Sequence, residues 1–209
     1  MAITKLSASG VVNFVKYRSM LAGNLPYEPP APSAYDLLET EILTGSPADI
    51  QFSSLGAYSS IYQHLQIRFV IRGSRTGNSA DSLYMRMGTG GSVDSGSNYA
   101  WHYLRGNGST VSSSAASSQS QMMLNLNAAA ANYTANAYTA GVIDLLDPFE
   151  TTKFSTVRCL TGQTTNENSI YLSSGLWQNT GSVTDILFTH QISPPAVGSR
   201  YSLYGLKAA

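Results

Sequence analysis

The sequence predicts an all-β fold: an antiparallel β-sandwich of jelly-roll-like type, carried behind an extended N-terminal arm. Three observations predict it. Short runs of alternating apolar and polar residues recur from Tyr35 to the end, separated by turn residues. Nothing after residue 34 sustains the 3.6-residue apolar period of a long amphipathic helix. Four prolines (Pro26, Pro29, Pro30 and Pro32) crowd the stretch before Tyr35, where they preclude a central ladder strand and favour an extended chain.

Residues 1–34 form the arm and its proline-rich linker. Val11, Val12, Phe14 and Val15 make an apolar run flanked by Lys16 and Arg18. Such a run has no core of its own, so it finds a partner or stays unfolded. These six residues are the candidate anchor to a larger particle.

Residues 35–209 form the sandwich domain. Its runs begin with "YDLLETEIL" and, after the turn at Gly45-Ser46-Pro47, "ADIQFSSL". In "HLQIRFVIR", Leu65, Ile67, Phe69 and Ile71 share one face while Gln66, Arg68, Val70 and Arg72 share the other. "SLYMRMG" alternates similarly, with Leu83, Met85 and Met87 on one face. Then come "NYAWHYLRG", "QSQMMLNLNA", "AYTAGVIDLLD", "KFSTVRCL", "SIYLSSGLWQ", "VTDILFTHQI" and "RYSLYGL", for ten or eleven strands in all. The alanine run "NAAAANYTANA" is too broken for a helix. "MGTGGSVDSGSN" lacks the lysine and hydroxyl of a phosphate-binding loop and is expected to be a flexible connection. The closing run has almost nothing after it. It is held if it lies inside a sheet, paired on both sides, with Tyr201 and Leu203 inward.

Charged residues make up 11% of the chain, and 12 basic residues balance 12 acidic ones. Nucleic-acid capture requires a basic face, so it is not expected. A neutral, charge-poor chain suits packing into an assembly better than life as a free monomer. No apolar run reaches the ~18 residues of a membrane-spanning helix. Lys5, Lys16 and Arg18 interrupt the first twenty residues, so no secretory leader is expected there.

No catalytic constellation is evident, and neither cofactor nor metal is expected. The single cysteine, Cys159, sits in a strand-like run and reads as a small buried hydrophobe. His64, His102 and His190 are scattered, without ligand spacing. Asp144, Asp147 and Glu150 cluster around a turn at Asp147-Pro148. The row Tyr99, Trp101 and Tyr103 shares one strand face. With Trp177 it is the candidate surface for a glycan or a protein partner, the competing reading being that it packs inward.

Four blocks carry a family resemblance: "IQFSSLGAYSSIYQHLQIRFVIRG", "GSNYAWHYLRGNGS", "GLWQNTGSVTDILF" and "VGSRYSLYGLK". In order and content they resemble the β-sandwich module of a family of bacteriophage virion structural proteins, found as tail-fibre, minor-tail and head-decoration proteins. The chain departs from that pattern after Arg86, where Met87 and Gly88 lead into the glycine loop instead of an acidic turn. The resemblance implies a virion protein assembled in a host cytoplasm, with capsid or tail subunits as partners. A short arm on one compact sandwich fits a capsid decoration or knob protein, expected as a homotrimer. The alternative it implies is a tail-tip or fibre adhesin for host surface glycans.

Overall fold

The computed structural model describes residues 34–78, 80–163 and 168–207. The anchor residues Val11, Val12, Phe14, Val15, Lys16 and Arg18 lie outside them. The described chain is all-β, with two antiparallel sheets packed face to face. Thirteen strands follow in order: β1 (Tyr35–Ile42), β2 (Asp49–Phe52), β3 (His64–Ile71), β4 (Ala80–Thr89), β5 (Ser92–Val93), β6 (Tyr99–Gly106), β7 (Val111–Gln119), β8 (Met122–Ala129), β9 (Thr139–Leu146), β10 (Ser155–Gln163), β11 (Ser169–Trp177), β12 (Asp185–His190) and β13 (Arg200–Leu206).

The wide sheet has eight strands in the order β1-β13-β3-β9-β10-β11-β6-β7. The narrow sheet has five: β2-β12-β4 in line, with β8 and the short β5 both pairing with β4. The sheets differ in width, so both margins of the wide sheet overhang. β1 and β7 are accordingly exposed along most of their length.

Period-two alternation explains which residues fill the space between the sheets. Leu65, Ile67, Phe69 and Ile71 of β3 are all buried, as are Leu83, Met85 and Met87 of β4. β10 and β11 alternate buried and outward residues along their full length. Cys159 is fully buried, and burial pushes its thiol pKa far up, which suppresses the thiolate.

The closing strand β13 lies between β1 and β3, paired with both. Tyr201 and Leu203 point inward and are fully buried. Gly205 is required by its neighbour: a Cβ there would lie 2.5–2.7 Å from the Tyr62 ring. The ring covers the gap, and its hydroxyl donates to Asp36 Oδ2 at 2.8 Å, tying the turn after β2 to β1.

Two strands go beyond the sequence expectation. β7, "VSSSAASSQ", carries no apolar alternation; it is a strand because β6 offers it a free edge. β5 sits within the glycine stretch, which is a pinned hairpin instead of a flexible loop. Gly90 and Gly91 supply the positive φ of its turn (62° and 81°). Much of the alanine run belongs to β8 and the loop after it. Arg72 gathers that loop by donating to the carbonyls of Ala131, Tyr133, Thr134 and Ala137 at 2.7–3.0 Å.

Candidate functional site

The aromatic row of β6 divides. Tyr99, Trp101 and Tyr103 do share one face, opposite Trp177, Gly175 and Ser173 of β11. That face turns toward the narrow sheet. Tyr99 and Trp177 are completely buried, so these two candidate binding residues pack inward and neither is available to a glycan or partner. The Tyr99 hydroxyl accepts the Met87 N–H at 3.0 Å and lies 2.9 Å from the Met87 and Asp94 carbonyls. Trp177 Nε1 donates to Asp94 Oδ2 at 2.8 Å. These bonds serve the core and the hairpin.

Trp101 and Tyr103 are half-buried, because β6 is where the narrow sheet gives out. Their rings stack at 6.1 Å with 16° between planes, and Tyr103 leans on Tyr171 at 5.4 Å. Their neighbours on β7 are Ala116 and Ser114, too small to cover them. A two-ring shelf is thus left at this margin.

The outer face of the wide sheet is a different surface. On the β1 side it carries a polar ladder. Tyr35 and Tyr204 stack at 4.8 Å, with the Arg68 guanidinium 5.4 Å from each ring. The Tyr35 hydroxyl donates to Gln66 Oε1, Gln66 Nε2 donates to Asp144 Oδ1, and Arg158 Nη2 donates to Asp144 Oδ2, each at 2.8 Å. Burial pushes the Asp144 carboxyl up, but the bonds from Arg158 and Gln66 outweigh it and hold it below the usual carboxylate range.

Beside that ladder the outer face carries rows of aliphatic side chains, and Arg200 of β13 and His102 of β6 face outward with them. Cross-strand register sets Val142, Leu160, Leu172 and Leu104 in one row across β9, β10, β11 and β6. Ile170 and Val111 flank it on one side and Leu146 on the other. Leu160, Leu172 and Leu104 are 48%, 47% and 51% exposed. Of the fourteen large apolar side chains exposed among the described residues, ten lie on this face; Ile61, Phe154, Ile192 and Val197 do not. A shallow groove of about 540 Å³ is lined by Leu104, Leu146 and Leu172 together with Thr156, Asp144 and Arg158. No single sequence run displays this surface, because it is assembled by register from five strands.

The histidines and carboxylates do not converge. His102 faces outward beside the groove, His190 is largely buried, and His64 meets Asp147. His64 Nδ1 lies 3.0 Å from the Asp147 backbone N–H, which donates to it. Asp147 Oδ1 lies 3.2 Å from the same nitrogen. Asp147 has a φ of 50° at its turn, and its carboxylate accepts from Lys153 and Gln63. Asp144 and Asp147 each have separate partners and do not face one another as an acid–base pair. Among the described residues, no three His, Cys, Asp or Glu side chains gather to hold a metal.

Compared with protein-family models, with curated proteins and with solved structures, the chain matches none.

Proposed function

We propose that this protein is a bacteriophage virion structural protein of the capsid decoration or knob type. Residues 1–34 anchor it to capsid or tail subunits, and the sandwich stands on the particle surface as a homotrimer. It acts by binding and display, without catalysis. The observation that carries this reading is the outer face of the wide sheet. Ten of the fourteen large apolar side chains exposed among the described residues lie there, and clustered exposed apolar side chains mark contact surfaces. The four sequence blocks behind the virion resemblance support it as well; they lie in β2–β3, β6, β11–β12 and β13, each of which contributes side chains to the core.

Adding purified protein back to particles that lack it tests the anchor. The full chain should decorate them, and residues 35–209 alone should not. Equal decoration by both would make the sandwich the docking surface and remove the arm's role.

A glycan-binding adhesin is the second reading, favoured by the half-buried Trp101–Tyr103 shelf. Stacked rings of this kind suit the apolar face of a sugar. A glycan array tests it: binding that Trp101→Ala abolishes supports the adhesin, and an array without a hit removes it.

A further inference from the structure

We infer that the free edge of β7 is a docking site for an extended peptide segment of another protein. The segment adds to the wide sheet as a further strand and carries large apolar side chains at alternate positions. The inference goes beyond the virion reading and does not depend on it.

The edges of the two sheets differ in their protection. An open edge presents unpaired main-chain N–H and C=O groups, and proteins blunt such edges with charge, bulges, short strands or a cover. β1 carries Asp36, Glu39 and Glu41, and its register slips between Leu37 and Glu39. β2 has four residues and β5 has two, while β8 is buried along most of its length. The regular part of β7 has none of these devices. The strand is nine residues long and exposed along most of its length, with neither charge nor proline. Among the described residues it pairs with β6 alone. That ladder is regular from Val111 to Ala116 and shifts only beyond, near Ser118 with its φ of 55°. Between Val111 and Ala116, alternate residues therefore hold their N–H and C=O groups in register for an incoming strand.

The side chains define which strand fits. Serine and alanine are too small to block its approach, and an uncharged edge selects no charged partner. On the inner side the narrow sheet stops beneath β6, which leaves Trp101 and Tyr103 half-buried beside Ala116 and Ser114. An added strand lies two strand spacings, about 10 Å, from β6. Leucine or phenylalanine side chains on its inner side reach over Ser114 and Ala116 to the stacked Trp101 and Tyr103 rings. Main-chain hydrogen bonds then supply affinity, and the two-ring shelf selects apolar residues two apart. A sugar would meet the rings but leave the ladder unpaired, which favours a peptide.

The test uses the full chain. Random dodecapeptides displayed on a carrier are selected on it, and the selected sequences are synthesised. They should carry large apolar residues at alternate positions, without proline or charge between them. Binding should slow amide hydrogen exchange in residues 111–116. N-methylation of one alternate set of peptide amides should weaken binding by at least about tenfold and of the other set should not, because successive amides of a strand point to opposite sides. Ser114→Lys/Ala116→Lys should weaken binding to a similar extent with an unchanged far-ultraviolet dichroism spectrum. If the lysines disturb the fold, Trp101→Ala gives the same readout. A selection without a binder would overturn the inference. So would peptides that protect a different segment, or whose binding ignores the parity of N-methylation. A glycan whose binding is lost in Trp101→Ala, with no peptide bound, would give the shelf to the adhesin reading and overturn it too.

Discussion

Trp177, at the end of β11, donates its indole N–H to Asp94, in the loop after β5, across 2.8 Å and 83 residues of sequence. The same carboxylate accepts the Gly96 N–H and the Asn98 side-chain amide. One acidic residue thereby fixes the glycine hairpin to the wide sheet. Asp94→Ala leaves the Trp177 N–H without its partner at the core boundary. It should cost about 1–3 kcal/mol, or several degrees in melting temperature, with a shift in tryptophan emission. An unchanged melting curve would mean that the hairpin is held by other contacts.

Acid should weaken the fold. Burial pushes the Asp94 carboxyl up, but its bonds from Trp177, Asn98 and Gly96 outweigh that and lower its pKa. The Lys153 and Gln63 bonds lower that of Asp147, and Arg158 and Gln66 do so for Asp144. Each folded pKa lies below its unfolded value of about 3.9, so the stabilisation is complete above that pH and is lost as pH falls through the folded values. Melting temperature should be steady from neutral pH to about 5 and fall below about 4. A melting temperature independent of pH down to 2 would contradict the assignment.

The closing strand should be structural. Leu203 is fully buried, and Leu203→Ala should cost roughly 2–5 kcal/mol in denaturant unfolding. Gly205→Ala pushes a methyl into the Tyr62 ring and should cost about 1–3 kcal/mol by overpacking. Stabilities within error of wild type would show that β13 is peripheral.

Arg72 should be irreplaceable by lysine. Its planar fork reaches four carbonyls of the loop after β8, and a single ammonium cannot. Arg72→Lys should destabilise by at least about 1.5–3 kcal/mol and raise hydrogen exchange across residues 131–137. Wild-type protection in that segment would remove the arginine's role.

Much of this fold is legible in the sequence. The alternation of Leu65–Ile71 and Leu83–Met87 predicts both strands and their buried faces, because a half-buried strand needs period two. The inward Tyr201 and Leu203 follow from the same rule. β7 is not legible: serine and alanine carry no strand signal, and only the edge of β6 calls it into the sheet. The fate of the aromatic row is not legible either. Tyr99, Trp101 and Tyr103 have the same parity, yet only Tyr99 is buried, since the narrow sheet stops beneath β6. The apolar outer face is hidden for a related reason. Leu160, Leu172 and Leu104 come from three distant runs, and in each run the leucine occupies the face that alternation assigns to solvent.

The central claim is that this chain is a particle subunit whose outer sheet face is covered. A cryo-electron microscopy reconstruction of the purified virion at side-chain resolution tests it most directly. The account predicts copies of the sandwich on the capsid or tail surface, chain density running from Tyr35 into the particle, and Leu160 and Leu172 buried in a contact with another subunit. A reconstruction in which every surface protein is traced and none is this domain would contradict it.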